Sequence, residues 1–341
     1  MMISTEAELE EMLSRPREAD KAAMAQMQGD LIILGVAGKV GPSLARLARR
    51  AASEAGVNKR IIGVSRFSGG ATQRKQLEAD GIETIEADLM DATRLASLPD
   101  VPNVIFMAGR KFGSTGAEYL TWAMNVLLPA MVAERYRNSR IVAFSSGNVY
   151  PFVPVTSGGA TENTPAEPLG EYAQSVLGRE RIFEYFSQRY GTPVVLLRLN
   201  YAIDLRYGVL LDIGQKVYER RPVDLRMGAA NVIWQGDVNS VTLRSFSLCA
   251  CPPQVLNVTG PETLSVRWAA NRFGALFGVE PVFEGAESDT ALLNNATRCH
   301  HLFGYPTVSV EQMIEWLAHW IKIGGPTLNK PTHFEVRDGK F

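Results

Sequence analysis

The stretch "DLIILGVAGKVGPSLARLARRAASEAG", residues 30–56, decides the fold. It opens on four apolar residues, Leu31 to Leu34, a run too short for a buried helix and the right length for a buried strand. Glycines at 35, 38 and 41 follow at once, and beyond them the apolar positions recur with helical period until Gly56 stops them. Strand, glycine turn and helix in that order begin a βαβ unit. Backbone N–H groups at a helix N-terminus can approach a pyrophosphate only where no Cβ intervenes, so Gly35, Gly38 and Gly41, with Lys39 and Val40 between them, are expected to bind a dinucleotide.

The same rhythm continues outward. "RIIGVS" (60–65) reads as a strand, "ATQRKQLEADG" (71–81) as a helix, "IETIEAD" (82–88) and "NVIFMAG" (103–109) as strands. A helical stretch from about 116 to 137 precedes the strand "RIVAFSS" (140–146), a helix from residue 170 and the strand "PVVLLRLN" (193–200). Strands that are apolar throughout and alternate with helices predict a parallel sheet covered on both faces. Upstream, residues 4–28 read as helix with a capping box at Thr5 and Glu8 and a break at Pro16.

Beyond residue 201 the pattern loosens. Residues 208–220, 266–278 and 310–324 read as helices, and 223–238 as a strand pair or a strand and loop. The fold class is α/β: a doubly wound parallel sheet of the Rossmann type with a smaller C-terminal α+β substrate lobe. The expected division is a helical extension (1–28), a dinucleotide-binding domain (29–205), a substrate-binding lobe (206–325) and an extended tail (326–341).

Composition narrows the function. With 35 Lys+Arg against 36 Asp+Glu the chain offers no polyanion-binding balance, which disfavours nucleic acid as a partner. Three cysteines, at 249, 251 and 299, are too few for a disulfide framework and lack C-x-x-C spacing. No apolar run reaches the roughly 18 residues of a membrane span. A cytoplasmic protein is expected, with no membrane partner.

The strand ends carry the chemistry. After the second strand come Ser65 and Arg66 where an acidic residue would bond the ribose 2′-OH of NAD. A guanidinium suits a 2′-phosphate, so NADP is expected, with NAD possible; the other reading of Arg66 is a solvated loop residue. Asp88 and Leu89 fall at the adenine edge, and Met107, Ala108 and Gly109 allow close backbone approach after the fourth strand, with Lys111 two residues on. The fifth strand ends at Ser145 and Ser146, and Tyr172 heads a helix 26 residues after Ser146. A hydroxyl at Ser146 can polarise a carbonyl while Tyr172 exchanges its proton. Asn125, Asn148 and Asn200 are candidate hydrogen-bonding supports in the cleft, and His300 with His301 lacks the carboxylate neighbours of a metal site.

Together these residues resemble an extended short-chain dehydrogenase/reductase of the NAD-dependent epimerase/dehydratase family. The resemblance spans roughly residues 30–325 and rests on "GVAGKVG", "ADLMD", "NVIFMAG", Asn125 in "AMNVLLPA", "FSSGNVY", "TENTPAEPLGEY", "VVLLRLN", "LNVTGPETLSV" and "HLFGYP". It implies an NAD(P)-binding domain, a carbohydrate-like small-molecule substrate such as a nucleotide sugar, and a homodimer built on the helices near 116–137 and 170–190. It also implies Ser146, Asn125, Ser145, Asn200 and Tyr172 as site residues.

The family's tyrosine is followed four residues later by lysine, and here that position holds Val176. A free phenol has a pKa of about 10, so lowering it by ~3 units takes about 4 kcal/mol that valine does not supply. Three readings stay open: another cation substitutes, with Lys39, Lys111 and Arg179 as candidates; Tyr172 works as a neutral donor; or the protein is a non-catalytic NADP-binding sensor or interaction protein.

Overall fold

The computed structural model describes residues 2–113 and 115–340. Seven strands form one sheet: β1 (Leu31–Leu34), β2 (Ile61–Ser65), β3 (Glu83–Glu86), β4 (Asn103–Phe106), β5 (Arg140–Ser146), β6 (Val194–Leu199) and β7 (Gln254–Val258). Their order is β3-β2-β1-β4-β5-β6-β7, and every pairing is parallel. The strand order reverses between β1 and β4, and at such a switch point the carboxyl ends of the strands leave a crevice for ligand.

The sheet is buried because its side chains divide by parity between two covered faces. Leu31, Ile33, Ile105 and Val142 point into one core, while Ile32, Leu34, Val104 and Phe106 point into the other. Each such fully buried aliphatic side chain contributes about 1.5–3 kcal/mol, which fixes the strand register. The first face is covered by α3 (Gly41–Glu54). The second is covered by α7 (Leu128–Arg135) and α8 (Gly170–Tyr190), through Leu128, Val132 and Phe183.

The long helical stretch is continuous but not uniform. The segment α6 (Glu118–Trp122) runs through a π turn at Ala123–Leu127 into α7. Pro16 separates α1 (Glu6–Ser14) from α2 (Glu18–Gln26), and the Thr5 and Glu8 capping box forms. Both N-terminal helices pack on α3 and on α10 (Gln235–Arg244).

Helix α10 begins within the last residues of the segment expected as strand pair or strand and loop, 223–238, and runs on past it. Short strands do occur at Val223–Asp224, Ala229–Ala230 and Ile233–Trp234, but a helix begins at Gln235. Gly236, Asp237, Asn239, Ser240 and Thr242 are poor helix formers, which hides it from a propensity reading. Burial and tertiary bonds override propensity here: Asn239 bonds the Leu13 carbonyl and Ser43, Gln235 bonds Ser43, and Arg17 reaches Asp237 at 2.6 Å. Strand β7 likewise comes from inside 206–325, so that span is not wholly lobe: part of it returns to complete the sheet beside β6. The lobe itself packs α9 (Val209–Tyr218), α11 (Val266–Phe277) and α13 (Val310–Lys322) around a core containing Phe273, Leu317 and Trp320. Among the described residues no helix is long and apolar enough to cross a membrane.

Candidate active site

The glycine turn is built by close contacts. A Cβ on Gly35, whose φ is +94°, would lie 2.8 Å from the Ala108 backbone nitrogen, so only glycine lets this turn lie against the chain leaving β4. A Cβ on Gly41 would lie 2.2 Å from the Val36 carbonyl oxygen, and that contact seats α3 on the turn. Gly38 is exposed between them, so its backbone faces a cavity of about 660 Å³. Such a volume is that of a ligand site, and the free amides at the head of α3 suit an anion. Of the five expected residues Gly38 and Lys39 line this cavity, while Gly35, Val40 and Gly41 do not, and a dinucleotide pyrophosphate fits against the Gly38 and Lys39 part of the turn.

Lys39 does not point into bulk water. Its Nζ donates to the Ala202 carbonyl at 2.5 Å and stands 4.9 Å from the Tyr207 ring centroid. Burial lowers its pKa to about 8, partly opposed by the nearby Asp204 carboxylate. At the other end of the cleft Ser65 closes β2 and Arg66 is exposed, its Nη1 4.0 Å from an Asp88 carboxylate oxygen. Leu89 is buried beneath them.

After β4 the chain crosses the sheet edge at Met107, whose amide bonds the Leu34 carbonyl, and continues through Ala108 and Gly109. A Cβ on Gly109 would sit 2.4 Å from Arg179 Nη2, so the glycine makes room for a guanidinium directly beneath the loop. Asn125 organises this region. The π turn turns it inward, where its Oδ1 accepts from the Arg110 amide at 2.9 Å and from Arg179 Nη2 at 2.7 Å. Its Nδ2 donates to the Arg110 carbonyl and to Ser175 Oγ, both at 2.9 Å. Arg179 also donates to the Phe144 carbonyl at 2.8 Å, while its buried Nε has no hydrogen-bond partner among the described residues.

Ser146 and Tyr172 come together as expected from their strand and helix ends. The Ser146 side chain faces Tyr172 and helps favour its ionised form, and Ser146 Oγ donates to Asn148 Oδ1 at 2.9 Å. Burial raises the Tyr172 pKa, and Arg179 and Ser146 pull it back only in part. The phenol is therefore protonated at neutral pH. Lys111 Nζ lies 5.8 Å from the Tyr172 ring centroid, and burial lowers its pKa to about 8. Of the three candidate cations, Lys39 reaches across to the loop after β6, Lys111 stands over the tyrosine ring, and the Arg179 charge acts on the hydroxyl.

Val176 is fully buried and packs with Val149, Tyr150 and Ala160. One turn further on, Glu180 and Arg198 form a buried two-toothed ion pair at 2.6 and 2.9 Å, and Ser145 Oγ donates to Glu180 at 2.5 Å. Ser145 is thus held from behind by α8. The Asn200 side chain donates to the Leu292 carbonyl at 3.3 Å, which ties the end of β6 to the lobe.

Sequence reasoning missed Tyr201, Tyr207 and Asp212, which flank the same cleft. Burial raises the pKa of all three. All lie in the irregular chain after β6 or on α9, where no periodicity marks them. Among the described residues no group of three or more His, Cys, Asp or Glu could hold a metal ion.

The model of the NAD dependent epimerase/dehydratase family matches residues 31–202. No curated protein matches the chain. Solved structures resemble it at low identity. The UDP-glucose 4-epimerase of Thermotoga maritima, solved with UDP-glucose, is 17% identical with a TM-score of 0.70 over 86% of this chain and 98% of that one. The UDP-glucuronic acid 4-epimerase of Bacillus cereus, with UDP-glucuronic acid and NAD, is 18% identical with a TM-score of 0.70 over 86% and 99%. The UDP-Glc/GlcNAc 4-epimerase of Campylobacter jejuni is 18% identical with a TM-score of 0.72 over 86% and 99%.

Proposed function

The chain belongs to the NAD dependent epimerase/dehydratase family, and from that premise we propose that it is an NAD(P)-dependent oxidoreductase or epimerase/dehydratase acting on the carbonyl or hydroxyl of a sugar-like compound. The observation that carries this reading is that Ser146 and Tyr172 come together from the ends of β5 and α8, on the same sheet as a glycine turn whose close contacts only glycine allows.

A nicotinamide dinucleotide bound there supplies hydride transfer. The rest of the work falls to the chain. Gly109 and Ala108 lie on the loop leaving β4, and Ser146, whose hydroxyl donates to Asn148 Oδ1 in the free protein, turns that hydroxyl to the substrate oxygen in this reading. Tyr172, protonated, donates its proton to that oxygen as the carbonyl is reduced. That donation leaves a phenolate, the same species from which the reverse oxidation would start. Arg179 stabilises that charge electrostatically but cannot carry the proton away at neutral pH. The resting phenol is protonated, so the free protein is poised for carbonyl reduction, with the phenolate reprotonated from solvent before the next turnover.

NADP is the preferred cofactor in this reading, since Arg66 follows the end of β2, a guanidinium suits a 2′-phosphate, and its contact with Asp88 is loose, exposed and easily exchanged. A homodimer fits the exposed apolar residues Tyr119 and Leu127 on the α6–α7 segment and Tyr185 on α8, which together offer an uncovered helix face.

Thermal melts and turnover assays test the proposal. NADPH raises the melting temperature more than NADH, and Tyr172→Phe retains that shift while abolishing turnover of sugar, nucleotide-sugar and aldehyde substrates. Equal or reversed shifts refute the NADP preference. Cofactor binding with no redox change on any of these substrates replaces the enzyme by a dinucleotide-binding sensor, the reading that the buried Val176 favours.

A further inference from the structure

The C-terminal segment does not trail away from the lobe. It starts beside the cofactor cavity, where the Leu328 amide bonds the Arg206 carbonyl at 2.9 Å. Thr332 then donates twice to Asp212, from its amide at 2.8 Å and its hydroxyl at 2.6 Å. His333 stacks toward Phe112, the neighbour of Lys111, with ring centroids 6.1 Å apart. Phe334 is buried in the lobe core, 3% exposed. Arg337 donates to the Thr290 carbonyl and hydroxyl, both at 2.7 Å, with its guanidinium 4.4 Å from the Phe152 ring centroid.

The segment ends wedged against the head of α8. A Cβ on Gly339 would lie 2.5 Å from the Leu169 carbonyl oxygen, and one on Gly170 would lie 2.3 Å from the Gly339 carbonyl oxygen. Tyr172 follows two residues later. The residues facing this strap are those of the substrate side of the cleft: Asn148, which bonds Ser146, together with Tyr201 and Leu169. Phe334, Val336 and Gly339 close that space down to about 30 Å³, room for a water or two. A drug-sized ligand needs roughly 300–1,000 Å³.

We propose that residues 326–340 are an intramolecular strap that occupies the substrate half of the cleft, so that a nucleotide-sized substrate binds only when the strap is released. This rests on the substrate side lying beside Ser146 and Tyr172, as the proposed function has it. The anchors are few and separable. Arg337 holds the middle by its bonds to Thr290, Gly339 holds the end by shape, and neither residue belongs to the Ser146 and Tyr172 pair.

The test uses the full chain, the double variant Arg337→Ala/Gly339→Val and the single variant Phe334→Ala. Each is titrated calorimetrically with UDP-glucose in the presence of NADPH, after NADPH binding has been measured and melting has verified the fold. The variants are expected to bind UDP-glucose at least tenfold more tightly than the parent. Equal affinity across parent and folded variants overturns the strap, as does tight binding by the parent itself. Failure of all three to bind NADPH or NADH overturns the proposed function instead, and the UDP-glucose comparison still judges the strap.

Discussion

Lys39→Met is the perturbation that best separates cofactor binding from catalysis. The Lys39 ammonium is desolvated against Ala202 and Tyr207, and with a pKa of about 8 it is half protonated at pH 8 in the free protein. A pyrophosphate at the glycine turn favours the charged form, so binding at pH 8 draws in about half a proton at Lys39. Lys111, with the same pKa of about 8, draws in about half more where it meets a phosphate or ribose. The parent thus takes up about one proton per cofactor, and Lys39→Met about half of one. A charge-assisted hydrogen bond contributes about 1.5–3 kcal/mol, so the variant loses about 10- to 150-fold in affinity at pH 7. Parent affinity falls as pH rises through 8, because the ammonium must first be regained, and the variant falls less steeply. Calorimetry at pH 8 in two buffers of different ionisation enthalpy counts the protons. Equal uptake by parent and variant, or none by the parent, refutes the reasoning. The stability of the free protein runs the opposite way. Between about 8 and the ordinary lysine value of 10.5 the unfolded chain holds a proton that the folded one has released, so stability rises with pH across that window.

Three further outcomes are expected. Glu180→Gln strands a buried Arg198 and costs about 3–5 kcal/mol in chemical denaturation, whereas the double change Glu180→Leu/Arg198→Met costs far less; equal losses would deny that the stranded charge is the cause. Gly41→Ala forces backbone against the Val36 carbonyl and costs about 1–3 kcal/mol, with weaker cofactor binding; an unchanged melting temperature contradicts the close contact. Arg179→Met raises the Tyr172 pKa further and moves the alkaline limb of the turnover profile upward; an unmoved limb removes Arg179 from the tyrosine's electrostatics.

Much of the site could be read before the fold. The glycine turn, the serine at the end of β5 and the tyrosine at the head of α8 are local patterns, each tied to one strand or helix terminus. The partners of Lys39, Lys111 and Arg179 could not be read in the same way. Lys39 meets Ala202 across 163 residues, and the Arg179 contact with Asn125 spans 54. The π turn that brings Asn125 inward is set by those contacts rather than by any local preference of Ala123–Leu127.

Periodicity and turn chemistry in the sequence were enough to determine a doubly wound sheet with a dinucleotide turn, because the parity of buried strands and the freedom of glycine act over a few residues. Tertiary structure alone decided what surrounds Val176 and where the C-terminal segment runs. Val176 is absorbed into an apolar cluster, and Arg179, two turns from the tyrosine, offsets in part the rise that burial imposes on the Tyr172 pKa. The C-terminal strap reads as an unpatterned tail in sequence. Its position depends on Asp212, Thr290 and Leu169, which are far from it along the chain and become its neighbours only once the lobe has folded onto the sheet.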